Sequence, residues 1–226
     1  MIHRFSIVLL MLAVVLGSRG TSQAAETEGC DLVTGSGNVT TETRSARNFS
    51  KVVLAGQGEV IIKQTGTESL EVTADDNLIP ILTSNVSNKS LSLNVDSRKC
   101  IVSATKIRFT VTVKDLKSVK LAGAGHINLQ QIDTNTLTAQ ITGAGSVTAA
   151  GKTDQLNVSI TGSGSYDGPN LTSNSSVLDI SGFGSITADV RNTLNATISG
   201  IGSISYIGDP NVTKKITGIG SVSKQE

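Results

Sequence analysis

Apolar and polar residues alternate along much of the second half of the chain. The segment 156–160 reads L-N-V-S-I, with an apolar residue at every second position. A period of two places all of these apolar side chains on one face of an extended strand. Because segments 137–141 and 194–198 repeat the pattern, the chain is predicted to form a series of strands that each bury one face.

A short glycine phrase follows each of these strands. In its later copies it reads Ser or Thr, then G-x-G, then Ser and an apolar residue. By subtraction, the first glycines of successive copies lie 20, 19, 20, 18 and 18 residues apart. Glycine reaches backbone angles that a Cβ atom forbids, so the pairs predict sharp corners. The twelve predicted corner residues are Gly123, Gly125, Gly143, Gly145, Gly162, Gly164, Gly182, Gly184, Gly200, Gly202, Gly218 and Gly220.

A regular spacing of about 20 residues marks a repeat architecture. One repeat cannot bury its apolar face alone, whereas stacked copies can, with equivalent strands about 4.8 Å apart. Equivalent residues then form ladders along the stack. The sequence therefore predicts an all-β fold, a parallel β-helix or solenoid-like stack of about 18–20-residue repeats, with roughly ten coils. The predicted inward ladder is Leu121, Ile141, Ile160, Ile180, Ile198 and Ile216.

The repeats divide the chain unevenly. Residues 26–226 are predicted to form a single β-solenoid domain, irregular to about residue 118 and regular over residues 119–222. The last glycine phrase ends four residues before residue 226, so the terminal coil is expected to be incomplete. An open strand edge invites pairing with another chain, which predicts self-association through the coil ends.

Residues 1–25 have the layout of a secretory signal peptide. His3 and Arg4 precede an apolar run over residues 7–16, and small residues end the segment at Ala24 and Ala25. The run is shorter than a membrane-spanning helix requires. The mature protein is therefore expected to be exported, either to the periplasm or to the cell surface or extracellular space, with no integral membrane segment after cleavage.

Two cysteines, Cys30 and Cys100, remain after cleavage. An even number of cysteines in an exported chain favours a disulfide between them. Nothing in the sequence shows that the two positions are close in space. Without histidine partners, these cysteines make a poor metal site.

The composition argues against several classes of function. The formal net charge is +1, which does not indicate a nucleic-acid or anionic-lipid partner. The mature chain has one histidine, His126, and it occupies a position that later repeats fill with serine. Asp167, Asp189 and Asp209 do not share a repeat position, so they form no predicted carboxylate pair. We expect no enzyme activity, no cofactor and no metal.

Two ladders at the corners are candidate contact surfaces. The hydroxyl residues that precede each glycine pair either bind a ligand such as carbohydrate or satisfy backbone groups at a tight corner. The residue between the glycines changes from alanine to serine, phenylalanine and isoleucine along the chain. It is expected to belong to the core, and the alternative is an outward apolar stripe for a partner. The candidate ligand ladder is Thr142, Thr161, Ser181, Ser199 and Thr217.

The combined motifs resemble a known family. The chain reads F-S-K-V-V-L-A-G-Q-G-E-V at 49–60, S-L-E-V-T-A-D-D-N-L at 69–78 and L-S-L-N-V at 91–95, before the serial glycine phrases. This order resembles the bacterial putative auto-transporter adhesin, head GIN domain family, over about residues 38–222. The resemblance implies a right-handed β-helix-like fold, export and an adhesive or surface role. It brings no catalytic residues, and the C-terminal membrane barrel segment of a true autotransporter is not seen.

Three functions remain open at this point. The favoured one is an exported, adhesin-like binding module of the bacterial cell envelope, whose partner is an envelope glycan or another surface component. The alternative is a periplasmic glycan-binding or structural envelope protein. A polysaccharide-cleaving β-helix enzyme is the least favoured. An exposed apolar stripe or open coil end would favour the first, a flat hydroxyl face the second, and a groove with three clustered carboxylates the third.

Overall fold

The first half of the chain consists of short strands. The computed structural model describes residues 29–225, so the predicted signal peptide lies outside the described residues. One 3-10 turn, Ile79–Ile81, interrupts the strands. The strands of this half are β1 (Asp31–Thr34), β2 (Val39–Arg44), β3 (Lys51–Leu54), β4 (Gln57–Gln64), β5 (Ser69–Asp75), β6 (Leu82–Ser87), β7 (Ser90–Val95), β8 (Lys99–Ser103), β9 (Ile107–Val113) and β10 (Ser118–Leu121).

The second half contains long strands that bend through the coils. Four of them are 16 to 18 residues long, and each contains runs of alternating buried and more exposed residues with an irregularity between the runs. Each of these long strands begins at the residue between two corner glycines. The strands of this half are β11 (Ala124–Ile141), β12 (Ala144–Ile160), β13 (Ser163–Ile180), β14 (Phe183–Ile198), β15 (Ile201–Ile207), β16 (Asn211–Ile216) and β17 (Ile219–Lys224).

The long strands stack in parallel and in register. Strands β11, β12, β13 and β14 follow one another as parallel neighbours, and β15, β16 and β17 continue the stack. Gly125 pairs with Gly145, and each later second glycine of a phrase pairs with the next. The molecule is a β-solenoid of about five turns, which confirms the predicted fold class. The estimate of ten coils was wrong because the first half folds differently.

The core is an aliphatic column inside the coils. Leu121, Ile141, Ile160, Ile180 and Ile198 are fully buried, as the alternation predicts. Ile216, the last member of the predicted inward ladder, is instead 43% exposed. It belongs to β16, and no described residue adds a strand beyond β16 to cover it. A second column lies two positions after each glycine pair, and its members are Ile127, Val147, Tyr166, Ile186, Ile204 and Val222.

The first half joins the stack through both parallel and antiparallel pairs. Strand β4 pairs in parallel with β11, and β3 pairs in parallel with β10 and β7. Antiparallel pairs then form between β2 and β5, β5 and β9, and β6 and β7. Antiparallel pairs therefore take the place of the glycine phrases in this half, and of these pairs only β6–β7 is a hairpin of consecutive strands.

A two-stranded arm lies outside the main sheet. Strands β1 and β8 pair only with each other among the described residues, and a disulfide joins Cys30 to Cys100, whose Cα atoms are 5.5 Å apart. The fully buried carboxylate of Asp75 connects this arm to the stack. It accepts hydrogen bonds from the backbone of Gly37 and of Thr105, each at 2.8 Å. Within residues 29–225, no helix is long and apolar enough to cross a membrane.

Candidate functional site

Glycine is required at the corners because the coils approach so closely. A Cβ atom at Gly143 would overlap the backbone carbonyl oxygen of Gly123 in the preceding coil. Gly145 also has a φ of +136°, which side chains rarely allow. The backbone of Ala144 donates to the carbonyl of Gly123 at 2.9 Å. The corner therefore consists of tightly stacked backbone, with the flanking side chains directed away from the axis.

The hydroxyl ladder lies on the outside of this corner. All five residues, Thr142, Thr161, Ser181, Ser199 and Thr217, are exposed. Their backbone N–H groups donate to equivalent carbonyls of the preceding coil, each at 2.9 Å, so the five positions are equivalent. Within residues 29–225, none of their side-chain hydroxyls makes a hydrogen bond. The hydroxyl groups are therefore free to contact a ligand.

The residues between the glycines also face outward, and the expectation that they belong to the core was wrong. Ala124, Ala144 and Ser163 are exposed, and so are three large apolar side chains. Phe183 is 61% exposed, Ile201 45% and Ile219 70%. The stacked glycine backbone fills the inside of the corner, so these side chains can only point outward. Register pairing places Phe183 beside Ile201, and Ile201 beside Ile219, as an apolar stripe.

A second polar ladder borders the stripe on its other side. His126, Ser146, Ser165, Ser185, Ser203 and Ser221 are in register. The imidazole of His126 contacts the hydroxyl of Ser146 at 2.7 Å and that of Thr148 at 3.3 Å. No carboxylate among the described residues bonds to this histidine, so a Ser-His-Asp triad is not assembled. We call the two polar ladders and the stripe between them the corner face.

The acidic residues considered from the sequence are dispersed. Asp167 is exposed, and Asp209 forms an ion pair with Lys224. Asp189 is largely buried and accepts a hydrogen bond from the hydroxyl of Thr172 at 3.0 Å. Within residues 29–225, no three Asp, Glu, His or Cys side chains form a group that could hold a metal ion.

A polar groove on another corner was not predicted from the sequence. Asp115, Asp133 and Asp154 line two adjoining cavities of about 430 and 300 Å³. Each carboxylate is engaged, by the hydroxyl of Thr134, the ammonium of Lys152 or the amide of Asn174, respectively. Asp115 lies in the bend between β9 and β10, whereas Asp133 and Asp154 lie in β11 and β12, so only the stacking of these elements brings them together. Asp115 and Asp133 pair with Lys117 and Lys152, and Asp154 accepts a hydrogen bond from a neutral amide, which differs from a poised acid–base pair.

Comparisons with known proteins agree with the fold and also indicate a family. The family model of the putative auto-transporter adhesin, head GIN domain matches residues 48–210. The chain therefore belongs to this family. The family description indicates an adhesin-like binding role. None of the curated proteins matches the chain.

Solved structures of proteins from Bacteroides fragilis and Parabacteroides distasonis share the architecture. A putative adhesin from Bacteroides fragilis is 22% identical, with a TM-score of 0.72 over 85% of this chain and 100% of that one. A putative lipid binding protein from Parabacteroides distasonis is 20% identical, with a TM-score of 0.56 over 87% of this chain and 100% of the other. A putative adhesin from the same species is 20% identical, with a TM-score of 0.53 over 86% and 100%. At sequence identities of 20 to 22%, the likeness to these structures establishes the fold of this chain.

Proposed function

We propose that this protein is an exported, adhesin-like binding module of the bacterial cell envelope that contacts an envelope glycan or other surface component through its corner face. One observation carries the proposal. Five exposed hydroxyl groups recur at the same corner position of successive coils, and none is engaged by another described residue. The expectation that such groups satisfy backbone atoms does not account for them.

The corner face has the chemistry that a carbohydrate requires. Hydroxyl side chains both donate and accept hydrogen bonds, as sugar hydroxyls do. The apolar stripe between the polar ladders can cover the C–H face of a sugar ring, and large exposed apolar patches often mark contact surfaces. The strand spacing of about 4.8 Å repeats these groups along the axis, which suits an extended ligand.

Export is part of the proposal and rests on two supports. The predicted signal peptide directs the chain out of the cytoplasm, and Cys30 and Cys100 are joined as expected in an oxidising compartment. A periplasmic glycan-binding or structural role and a surface-exposed adhesive role both agree with these features. We favour the adhesin-like role because of the family to which the chain belongs.

A glycan array tests the proposal directly. Residues 26–226 would be compared with the triple variant Thr161→Ala, Ser181→Ala, Ser199→Ala. We expect the natural protein to bind saccharides and the variant to lose at least about tenfold in affinity, because several hydrogen bonds are removed together. A control, Asn157→Ala, Asn195→Ala, Thr213→Ala, removes three polar side chains from a ladder away from the corner, in which Val177 stands between the two asparagines, and should bind normally.

One result would contradict the corner face as the binding site, and another would exclude a glycan as its partner. Binding that survives in the corner variant would place the site elsewhere on the molecule. An array on which the natural protein binds no saccharide would exclude the glycan and leave protein partners as the target of the corner face.

Self-association through the coil ends is a second proposal about partners. Within the described residues, the outer edges of β16 and β17 have no partner strand. Lys214 of β16 occupies an inward register position beside the buried Ala196, and its ammonium donates to the carbonyl of Val222 at 2.8 Å. An inward lysine weakens edge pairing between like-charged copies. Light scattering should therefore show a mass above one chain at high protein and salt concentration, and a monomer under all conditions would refute this proposal.

A further inference from the structure

Lysines gather where three neighbouring parallel strands begin. Lys51 is the first residue of β3, and Lys89 and Lys117 directly precede β7 and β10. Strand register places Lys51 beside Ser90 on one side and Ser118 on the other. Lys89 and Lys117 each stand one residue before the register partner of Lys51, so the three lysines lie at the starts of adjacent strands, which are about 4.8 Å apart. Lys120 follows on the outward face of β10.

Two adjoining cavities open onto these lysines. The first has a volume of about 310 Å³, and Lys89, Lys114 and Lys117 are among its lining residues. The second has a volume of about 480 Å³ and is lined by Lys51, Lys117 and Lys120. They share Lys117 and so adjoin as one depression, which meets the acidic groove described above at Asp115 and Lys117. The remaining polar side chains of the second cavity are Ser90, Ser118, Thr136, Thr138 and Gln140.

The positive charge of this depression is only partly compensated. Among residues 29–225, Lys51, Lys89 and Lys120 have no acidic partner within ion-pair distance. The largely buried carboxylate of Glu68 accepts backbone hydrogen bonds from Asn48 and Phe49, which hold its pKa below the ordinary value although burial opposes the shift. Glu68 is thus ionised, and it pairs with Lys114 at 3.6 Å.

The remaining acid of the depression is also engaged. Asp115 pairs with Lys117 at 3.6 Å and accepts a hydrogen bond from the hydroxyl of Thr134 at 3.0 Å. The acidic groups therefore neutralise Lys114 and Lys117, while Lys51, Lys89 and Lys120 keep their full charge. The formal net charge of +1 for the whole chain conceals this local excess.

The backbone at Lys89 is unfavourable for a lysine. Asn88 and Lys89 link β6 to β7 with φ values of +49° and +61°. Glycine is strongly preferred at the second position of such a two-residue hairpin turn. A non-glycine residue there costs stability, and like charges on neighbouring strands add to the cost. Two unfavourable features at one place point to a role for the lysines outside stability.

We propose that Lys51, Lys89, Lys117 and Lys120, the lysine cradle, bind an acidic oligosaccharide. The ammonium groups would pair with carboxylate or phosphate groups of the sugar, while the neighbouring hydroxyl and amide side chains would bond to its hydroxyl groups. Phe49 is the aromatic residue of the depression and is buried, so no ring is presented for stacking a nucleobase. The site is separate from the corner face and shares only the ligand class with the function proposed above.

Calorimetric titration with defined saccharides tests the lysine cradle. Residues 26–226 would be titrated with oligogalacturonate, with a phosphorylated oligomannose and with neutral maltohexaose. We expect an acidic saccharide to bind, with an affinity that falls as the salt concentration rises, and we expect maltohexaose not to bind to the cradle. The acidic saccharide that binds more tightly identifies carboxylate or phosphate as the recognised group.

Matched variants separate the cradle from the general charge of the protein. The triple variant Lys51→Gln, Lys89→Gly, Lys120→Gln should weaken the binding of the acidic saccharide at least about tenfold. The control Lys63→Gln, Lys106→Gln, Lys215→Gln also removes three positive charges, from lysines that likewise have no acidic partner among residues 29–225, and should bind normally. Lys89→Gly alone should raise the melting temperature while it lowers affinity, which a merely structural lysine would not do.

The outcomes that overturn the inference are distinct from those for the corner face. The inference is refuted if the cradle and control variants lose equal affinity for the acidic saccharide. It is also refuted if maltohexaose binds as tightly as the acidic saccharide, or if neither acidic saccharide binds. Oligothymidylate is a further control. If it bound as tightly as the acidic saccharide and lost as much affinity in the cradle variant, the lysines would attract any polyanion, and saccharide recognition would also be refuted. Because the corner variant keeps the cradle intact, acidic saccharide binding by that variant would support the cradle even if the corner face fails its own test.

Discussion

Individual glycines determine how closely the coils stack. At Gly145 two constraints coincide, since its φ is positive and a Cβ atom would overlap the carbonyl oxygen of Gly125. The neighbouring Ala144 faces solvent and has neither constraint. Adjacent residues of similar size therefore differ greatly in their tolerance of substitution.

Gly145→Ala tests this difference. We expect the free energy of unfolding to fall by roughly 3 kcal/mol, because the added methyl group forces the two coils apart and strains the backbone. The control Ala144→Ser should stay within about 0.5 kcal/mol of the natural protein. Urea unfolding at constant m value gives both numbers. A loss no larger than that of the control would show that the preceding coil can move aside.

Tyr166 introduces a polar atom into the aliphatic column. Its hydroxyl is buried, and no described residue is within hydrogen-bond distance of it. Burial, together with the charge of Asp167, raises the pKa of Tyr166 above its ordinary value. Tyr166→Phe should raise the free energy of unfolding by about 1 kcal/mol, since an unpaired buried hydroxyl is lost. Thermal unfolding would measure this gain, and a destabilised variant would instead indicate that a bound water satisfies the hydroxyl.

Among the secondary-structure elements, β5 and its last residue connect the arm to the stack. Burial alone would raise the pKa of Asp75, but hydrogen bonds from the hydroxyl and backbone of Thr105 and from the backbone of Gly37 and Lys106 outweigh it. The pKa in the folded protein is therefore below the ordinary value of 3.8. The resulting stabilisation is complete above that ordinary value and is lost as the pH falls through the folded-state pKa.

Asp75→Asn should remove this dependence on pH. The variant is expected to be less stable than the natural protein at pH 7, because an amide cannot accept the same set of hydrogen bonds, and the difference should shrink in acid. Urea unfolding between pH 7 and pH 2 measures both curves. Asp167→Asn, at an exposed carboxylate, serves as the control. If the two proteins lost stability in parallel on acidification, Asp75 would not be the group responsible.

The sequence predicted the regular half of the molecule well, for a physical reason. Stacked coils place equivalent residues on top of one another, so alternation and glycine spacing are visible along the chain. The outward direction of Phe183, Ile201 and Ile219 was missed, because their apolar character indicated core while the closeness of the glycine backbones could not be seen. The lysine cradle was missed because Lys51, Lys89 and Lys117 meet only through the register of strands distant in sequence.

For the whole molecule, stability should vary from coil to coil. Strands β12 and β13 have a long parallel partner on both sides, whereas β1 and β8 pair only with each other among the described residues. In such quasi-one-dimensional folds each coil gains stability from its immediate neighbours. Hydrogen exchange followed by mass spectrometry should therefore show the slowest exchange in β12 and β13 and faster exchange in β1, β8, β16 and β17. Uniform protection would mean that all coils open as a single cooperative unit.

The stacked corner glycines have a further consequence for how such a protein can change over generations. Each coil contacts the next one through the same backbone carbonyl oxygens, and each pair of neighbouring coils approaches equally closely. A stretch of about twenty residues copied in frame would thus meet neighbours that it already fits, and would lengthen the molecule by about 4.8 Å. Gene duplication within the chain can therefore set the reach of the surface that the protein displays, one coil at a time, while every existing coil keeps its contacts.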